Sequence, residues 1–182
     1  DWLAFVESVG LRRAPGGGGA MLLGAVLLRS PDTVQQAISL LESVVQSADD
    51  PRAVGAAARE LGSAYFVLQR HEDAVAAWQR SQEIMPDPAV ANNIAFTLAE
   101  DLGRPDEALP FAQAAAAASP NDPSILDTLG VVQMRTGDLE SAAGTLERAL
   151  QLASGNPGRA GPILLHLADL ETERSNKDAA AA

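Results

Sequence analysis

A histidine beside carboxylates is the first place to look for chemistry, because an imidazole titrates near neutrality and an adjacent acid tunes it. The chain has two: His71, followed by Glu72 and Asp73, and His166, beside an apolar stripe. One imidazole with two acids makes a poor metal site, and a solvated turn is the expected setting for His71. Packing, or a place at the cut end of the fold, explains His166 better than catalysis. Paired carboxylates occur at Asp49 and Asp50, Glu72 and Asp73, Glu100 and Asp101, and Asp106 and Glu107. Such pairs do acid–base work when burial raises one pKa. These fall at predicted turns and helix starts, where they favour the helix dipole and face water. The glycines at 16–19 lack the Gly-Lys-Ser/Thr ending of a phosphate cradle. Without cysteine there is no disulfide framework, thiol nucleophile or thiolate zinc site, although the redox compartment stays open. No Ser-His-Asp spacing, HExxH or nucleotide fingerprint appears. We expect no active site, no metal and no cofactor.

The elements that would position a site follow from composition and repetition. The chain's 182 residues suit about one ordinary domain, and 47% hydrophobic residues suffice for a core. A net charge of −11 argues against phosphate-driven nucleic-acid binding. The longest strongly apolar run, 20–28, ends at Arg29, far short of the ~20 residues that span a bilayer. No signal peptide is visible. We read the chain as a piece of something longer, so a targeting signal can lie outside it. The compartment, bacterial cytoplasm or envelope, stays open.

A period of 34 runs through the middle. Ala74, Ala108 and Ala142 are separated by 34 and 34, and Pro86 and Pro120 by 34. Leu61-Gly62 recurs as Ile94-Ala95 and Leu129-Gly130, at spacings of 33 and 35. An extra residue within Glu100-Asp101-Leu102-Gly103 absorbs the slip.

Each unit reads as two helices. In the third, Asp122 caps the first helix with Pro123 in its opening turn. Ile125, Leu126, Leu129 and Val132 share a face, and Gly137 supplies the left-handed stop. Asp138 caps the second helix, whose stripe is Leu139, Ala142, Ala143, Leu146, Ala149 and Leu150. Gly62, Ala95 and Gly130 sit mid-helix, where glycine costs roughly 1 kcal/mol against alanine. Small side chains there let two helices approach, with Tyr65 and Trp78 filling the space beyond. One pair cannot bury its apolar faces alone, so the units must stack. Residues 114–118, all alanine, suit a tightly packed or sparsely decorated second helix.

This pattern resembles the tetratricopeptide repeat. Leu61, Gly62, Tyr65, Ala74, Trp78 and Pro86 match its signature, as do Leu129, Gly130, Ala142, Leu146 and Ala149 in the third unit. The middle unit departs, with Ala95 for glycine and Ala112 for the bulky residue equivalent to Trp78. The resemblance implies an all-α solenoid of antiparallel helix pairs wound into a right-handed superhelix. It divides the chain into an N-terminal helix with a glycine-rich break (1–19), a degenerate repeat (20–52), three full repeats (53–88, 89–122, 123–157) and a truncated repeat (158–182). In the degenerate repeat Leu23-Gly24 would match Leu61-Gly62, followed by Ala37, Leu41 and Val44. In the truncated one Ile163, Leu164, Leu167 and Leu170 would form an uncapped apolar face, and a second helix would begin near Asp178. More weakly, Asn92-Asn93-Ile94-Ala95, Asp106-Glu107-Ala108-Leu109 and the run 124–130 are similar to bacterial multi-repeat proteins of exosortase and exopolysaccharide-export systems, often envelope proteins.

In this family the first helix of each pair lines a concave face. The resemblance maps that lining to Arg59, Ser63, Phe66 and Val67 in the first full repeat. In the second it maps to Asn92, Phe96, Ala99 and Glu100, and in the third to Asp127, Val131, Met134 and Arg135. Phe66, Phe96 and Met134 would give apolar contact, Asn92 would hold a peptide backbone, and Arg59 and Arg135 would meet carboxylates. Against this, the same residues can cover ordinary helix surface or pack on another part of the chain. Chaperone-binding members clamp a C-terminal carboxylate with lysines, arginines and asparagines. No mapped position here is lysine, and Asp127 intrudes, so that clamp is not expected. Nor is an asparagine ladder, since Glu60, Asn93 and Thr128 supply one rung. The expected function is a scaffold or adaptor that holds a peptide or partner protein. The alternatives are a structural arm of a larger enzyme or envelope machine, and self-assembly through the end helices.

Overall fold

The computed structural model describes residues 31–181. Leu23-Gly24, the glycine-rich break and the N-terminal helix expected over 1–13 lie outside them. Eight α-helices and one π segment make up the described residues, with no strand among them. They are α1 (Pro31–Ser47), α2 (Pro51–Val67), α3 (His71–Ile84), α4 (Pro88–Phe96), the π segment (Thr97–Asp101), α5 (Pro105–Ala118), α6 (Pro123–Arg135), α7 (Leu139–Leu152) and α8 (Pro157–Ala181). The chain divides into two compact units, Asp1–Val90 and Ala91–Ala182.

In the first unit α2 packs on α1 and α3. The Asp50 side chain caps α2 by accepting from Arg52 N at 3.0 Å, and Pro51 starts the helix. That position has no intrahelical acceptor, so proline loses nothing there. A Cβ on Gly62 would run into the Trp78 indole. The indole donates from Nε1 to Arg59 O at 3.2 Å. Glycine is therefore required by close approach, as its mid-helix place suggested. Tyr65 reaches α1, donating to Glu42 Oε1 at 2.7 Å, with Arg70 stacked 4.4 Å over its ring. Burial, and then the Glu42 carboxylate, push its phenol up to about 12.

The second unit repeats the plan with other side chains. α6 packs on α5 and α7, and α8 packs on both α6 and α7. Asp122 accepts from Ser124 N at 2.9 Å and Asp138 from Ser141 N at 3.1 Å, and Gly137 turns left-handed at φ 85°. All three were legible in the sequence. A Cβ on Gly130 would lie 2.5 Å from Leu146 Cγ, so Leu146 fills the niche that Trp78 fills in the first unit. At the equivalent positions of the middle repeat stand Ala95 and Ala112, both buried. Leu126, Ala142, Leu146, Ile163 and Leu170 form the core.

The extra residue of the middle repeat appears as a π turn. Leu102 N donates to Thr97 O, five residues back, at 3.0 Å, and Arg104 N donates to Leu98 O at 2.7 Å. The equivalent bonds of the third repeat, Thr136 N to Val132 O and Asp138 N to Gln133 O, each span one residue fewer. One added residue in a helix is accommodated by widening a single turn.

Two expectations for the C-terminal region change. α8 runs unbroken through Asp178, so no second helix starts there. Its apolar stripe is not an open face, since Ile163 and Leu170 are buried in the core and Leu167 packs against it. The reason is local: α8 lies against α6 and α7, and its inner side completes their core. The open apolar residues of α8 are Leu164 and its neighbour Leu165.

Candidate functional site

The lining positions divide by unit. In the first, Arg59 contacts its neighbour Glu60 at 3.2 Å and Asp87 at 3.8 Å. Ser63 spends its hydroxyl on Arg59 O at 3.3 Å. Phe66 is half-buried, edge-on to His71 at 5.5 Å and tilted against Trp78 at 5.9 Å. It packs on the second helix of its own repeat. His71 is accordingly a half-buried packing residue and not a solvated turn histidine. Val67 alone of this set is open, at 57% exposure.

In the second unit Met134 is 2% exposed, within the core that holds Leu126, Ala142 and Leu146. It fills the interior instead of lining a groove. Val131 and Ala99 are buried as well. Phe96 is 40% exposed. Asn92 stands four residues before it, on the same helix face, and its Oδ1 has no hydrogen-bond partner.

Arg135 is engaged by its own chain. Its Nε lies 2.8 Å from Glu100 Oε1 and its Nη2 3.1 Å from Glu100 Oε2, a bidentate fork. Its Nη1 lies 3.4 Å from Glu173. The Glu100 carboxylate holds the guanidinium pKa above its ordinary value, with burial opposing. Asp127 is engaged too, since His166 Nδ1 lies 2.8 Å from its Oδ1. That bond raises the His166 pKa and burial opposes it. The pair ties α8 to α6, which is the reason for His166 that sequence reasoning missed. The signal was present in the repeat register: first helices stack side by side, and an acid on one invites a base on the next.

Two of the acidic pairs lie at helix starts, where Asp73 also pairs with Arg70 and Glu107 with Arg104. Glu72 and Asp73 lie in the first turn of α3, Asp106 and Glu107 in the first turn of α5. No group of three or more His, Cys, Asp or Glu suited to a metal occurs among the described residues. No helix among them is long and apolar enough to cross a membrane.

Comparison with known proteins places this arrangement. Two family models, both described as the tetratricopeptide repeat, match residues 23–88 and 99–160. No curated protein matches the chain. Among solved structures it is similar to YrrB, a tetratricopeptide protein with an unusual peptide-binding site, at 18% identity and TM-score 0.71, over 93% of this chain and 83% of that one. It is similar to MamA from Desulfovibrio magneticus RS-1 at 18% identity and TM-score 0.67, over 89% and 97%. It is also similar to the TPR2B domain of yeast Sti1, solved as a complex with pHsp70, at 24% identity and TM-score 0.60, over 65% and 97%. With an all-α fold of helix pairs among the described residues and family models matched over residues 23–88 and 99–160, the chain belongs to the tetratricopeptide repeat family.

Proposed function

We propose that this chain is a non-enzymatic adaptor that holds a peptide or partner protein on the concave face lined by its first helices. One observation carries the reading: in the second unit Phe96, at a lining position, keeps a large apolar side chain 40% exposed, as Val67 does within the first unit at 57%. Leaving such residues exposed to water costs free energy that a partner recovers by covering them. The peptide-binding site named for YrrB and the pHsp70 complex of the Sti1 domain lend support by analogy of fold.

Affinity capture from the native organism's extract tests this, with the Phe96→Ala and Val67→Ala double variant as control. A protein retained by the parent and lost by the variant, whose circular dichroism is unchanged, is the expected result. A partner held equally by both would sink the concave-face assignment. A second reading, self-assembly through the end helix, is favoured by Leu164 and Leu165, 52% and 63% exposed on α8. It requires a mass that rises with concentration and falls back in Leu164→Glu. A constant mass with no captured partner leaves the structural-arm reading.

A further inference from the structure

The π turn has a consequence for what the first-helix face can recognise. From the small mid-helix residue to the left-handed turn residue is seven positions in the first repeat (Gly62 to Gln69), seven in the third (Gly130 to Gly137) and eight in the middle one (Ala95 to Gly103). Counted back from the turn, Asp101 stands where Val67 and Arg135 stand. Counted forward from the small residue, Glu100 takes that position instead, and it is Glu100 that forks onto Arg135.

Arg135 is the one guanidinium at a lining position of the second unit, and both Glu100 and Glu173 engage it. Asp127 is met by His166. Asp169 adds a further negative charge that both Arg135 and His166 feel. Four carboxylates thus face two cationic groups, one of which is an imidazole that is neutral at high pH. The balance is negative in either protonation state, and Phe96, one helical turn before Glu100, is exposed.

We propose that Glu100 is a specificity-determining residue: by occupying Arg135 it makes the first-helix face of the second unit complementary to a lysine- or arginine-bearing segment with an apolar side chain, and closed to carboxylate-bearing ones. This rests on the adaptor reading above. A carboxylate ligand must displace Glu100 from a bidentate pair and enter a negative field. A cationic ligand competes with Arg135 and His166 for their carboxylates, but gains from the negative field of the four acids.

Three fluorescein-labelled peptide libraries of equal length and apolar content test it against the full chain: one bearing lysine and arginine, one aspartate and glutamate, one neither. The parent is expected to bind the basic library about tenfold tighter than the acidic one, with the gap narrowing as salt is added. Glu100→Gln with Glu173→Gln is expected to close that gap to about threefold or less, and Arg135→Gln to widen it. Equal affinity for all three libraries, weakened throughout by Phe96→Ala, overturns the role of Glu100 and leaves the adaptor reading standing. A preference for the acidic library overturns the role of Glu100 as well. Binding of none overturns both.

Discussion

The first unit joins the two helices of a full repeat with aromatic rings, whereas the second ties successive first helices together with charges. Trp78 fills the niche over Gly62 and carries Phe66 against it, which in turn meets His71. In the second unit the niche over Gly130 takes a leucine, and the contacts reaching furthest along the chain are Glu100 with Arg135, Arg135 with Glu173 and Asp127 with His166. One backbone plan therefore accepts two kinds of adhesive. The apolar kind acts within a pair and depends on shape. The ionic kind acts between pairs and depends on pH and salt.

The sharpest test of the contrast is Trp78→Ala. It empties the niche over Gly62 and removes one of the hydrogen bonds to the Arg59 carbonyl, and should cost about 3–5 kcal/mol in urea unfolding. A cost below ~1 kcal/mol would show that the aromatic cluster does not hold the unit. Next comes the matched pair Gly62→Ala and Gly130→Ala. The rigid indole, anchored by its hydrogen bond, yields less than a leucine with two free torsions, so we expect about 2–3 kcal/mol for the first and ~1 kcal/mol for the second. Equal costs would erase the distinction between the niches.

The ionic side is tested by Asp127→Asn, expected to cost about 1 kcal/mol near pH 6. Folding raises the His166 pKa above its ordinary 6.5. The pair's contribution is therefore full below about 6.5 and lost as pH rises through the raised value. The stability gap between parent and variant should narrow toward pH 9, and the imidazole titration followed by NMR should move down in the variant. A gap that does not change with pH would remove the charge from the account. The smallest effect concerns the turns. Gln69 is left-handed at φ 59°, where Gly103 and Gly137 stand in the other repeats. Gln69→Gly should stabilise by about 0.5–1 kcal/mol, measured as a higher urea midpoint.

Features that depend on residues a few positions apart were readable without coordinates. Asp122, Pro123, Gly137 and Asp138 cap and stop helices through bonds within one or two turns, so residue type and spacing suffice. The pairing of Gly62 with Trp78 was legible because the 34-residue period announces which positions face each other. Even the one-residue slip near Glu100 located the π turn, since an added residue in a helix has to widen the coil somewhere near it. Which lining positions are open was another matter. Met134 and Val131 are buried, Phe66 packs on His71, and Arg135 and Asp127 are claimed by Glu100, Glu173 and His166. Each ionic contact joins residues 35 to 39 positions apart. Side-chain reach and competition among nearby charges decide them, and neither is encoded in the register of a repeat. Period and caps follow from local backbone chemistry. The availability of a side chain to a partner follows from what the next helix has already taken, which only packing in three dimensions establishes.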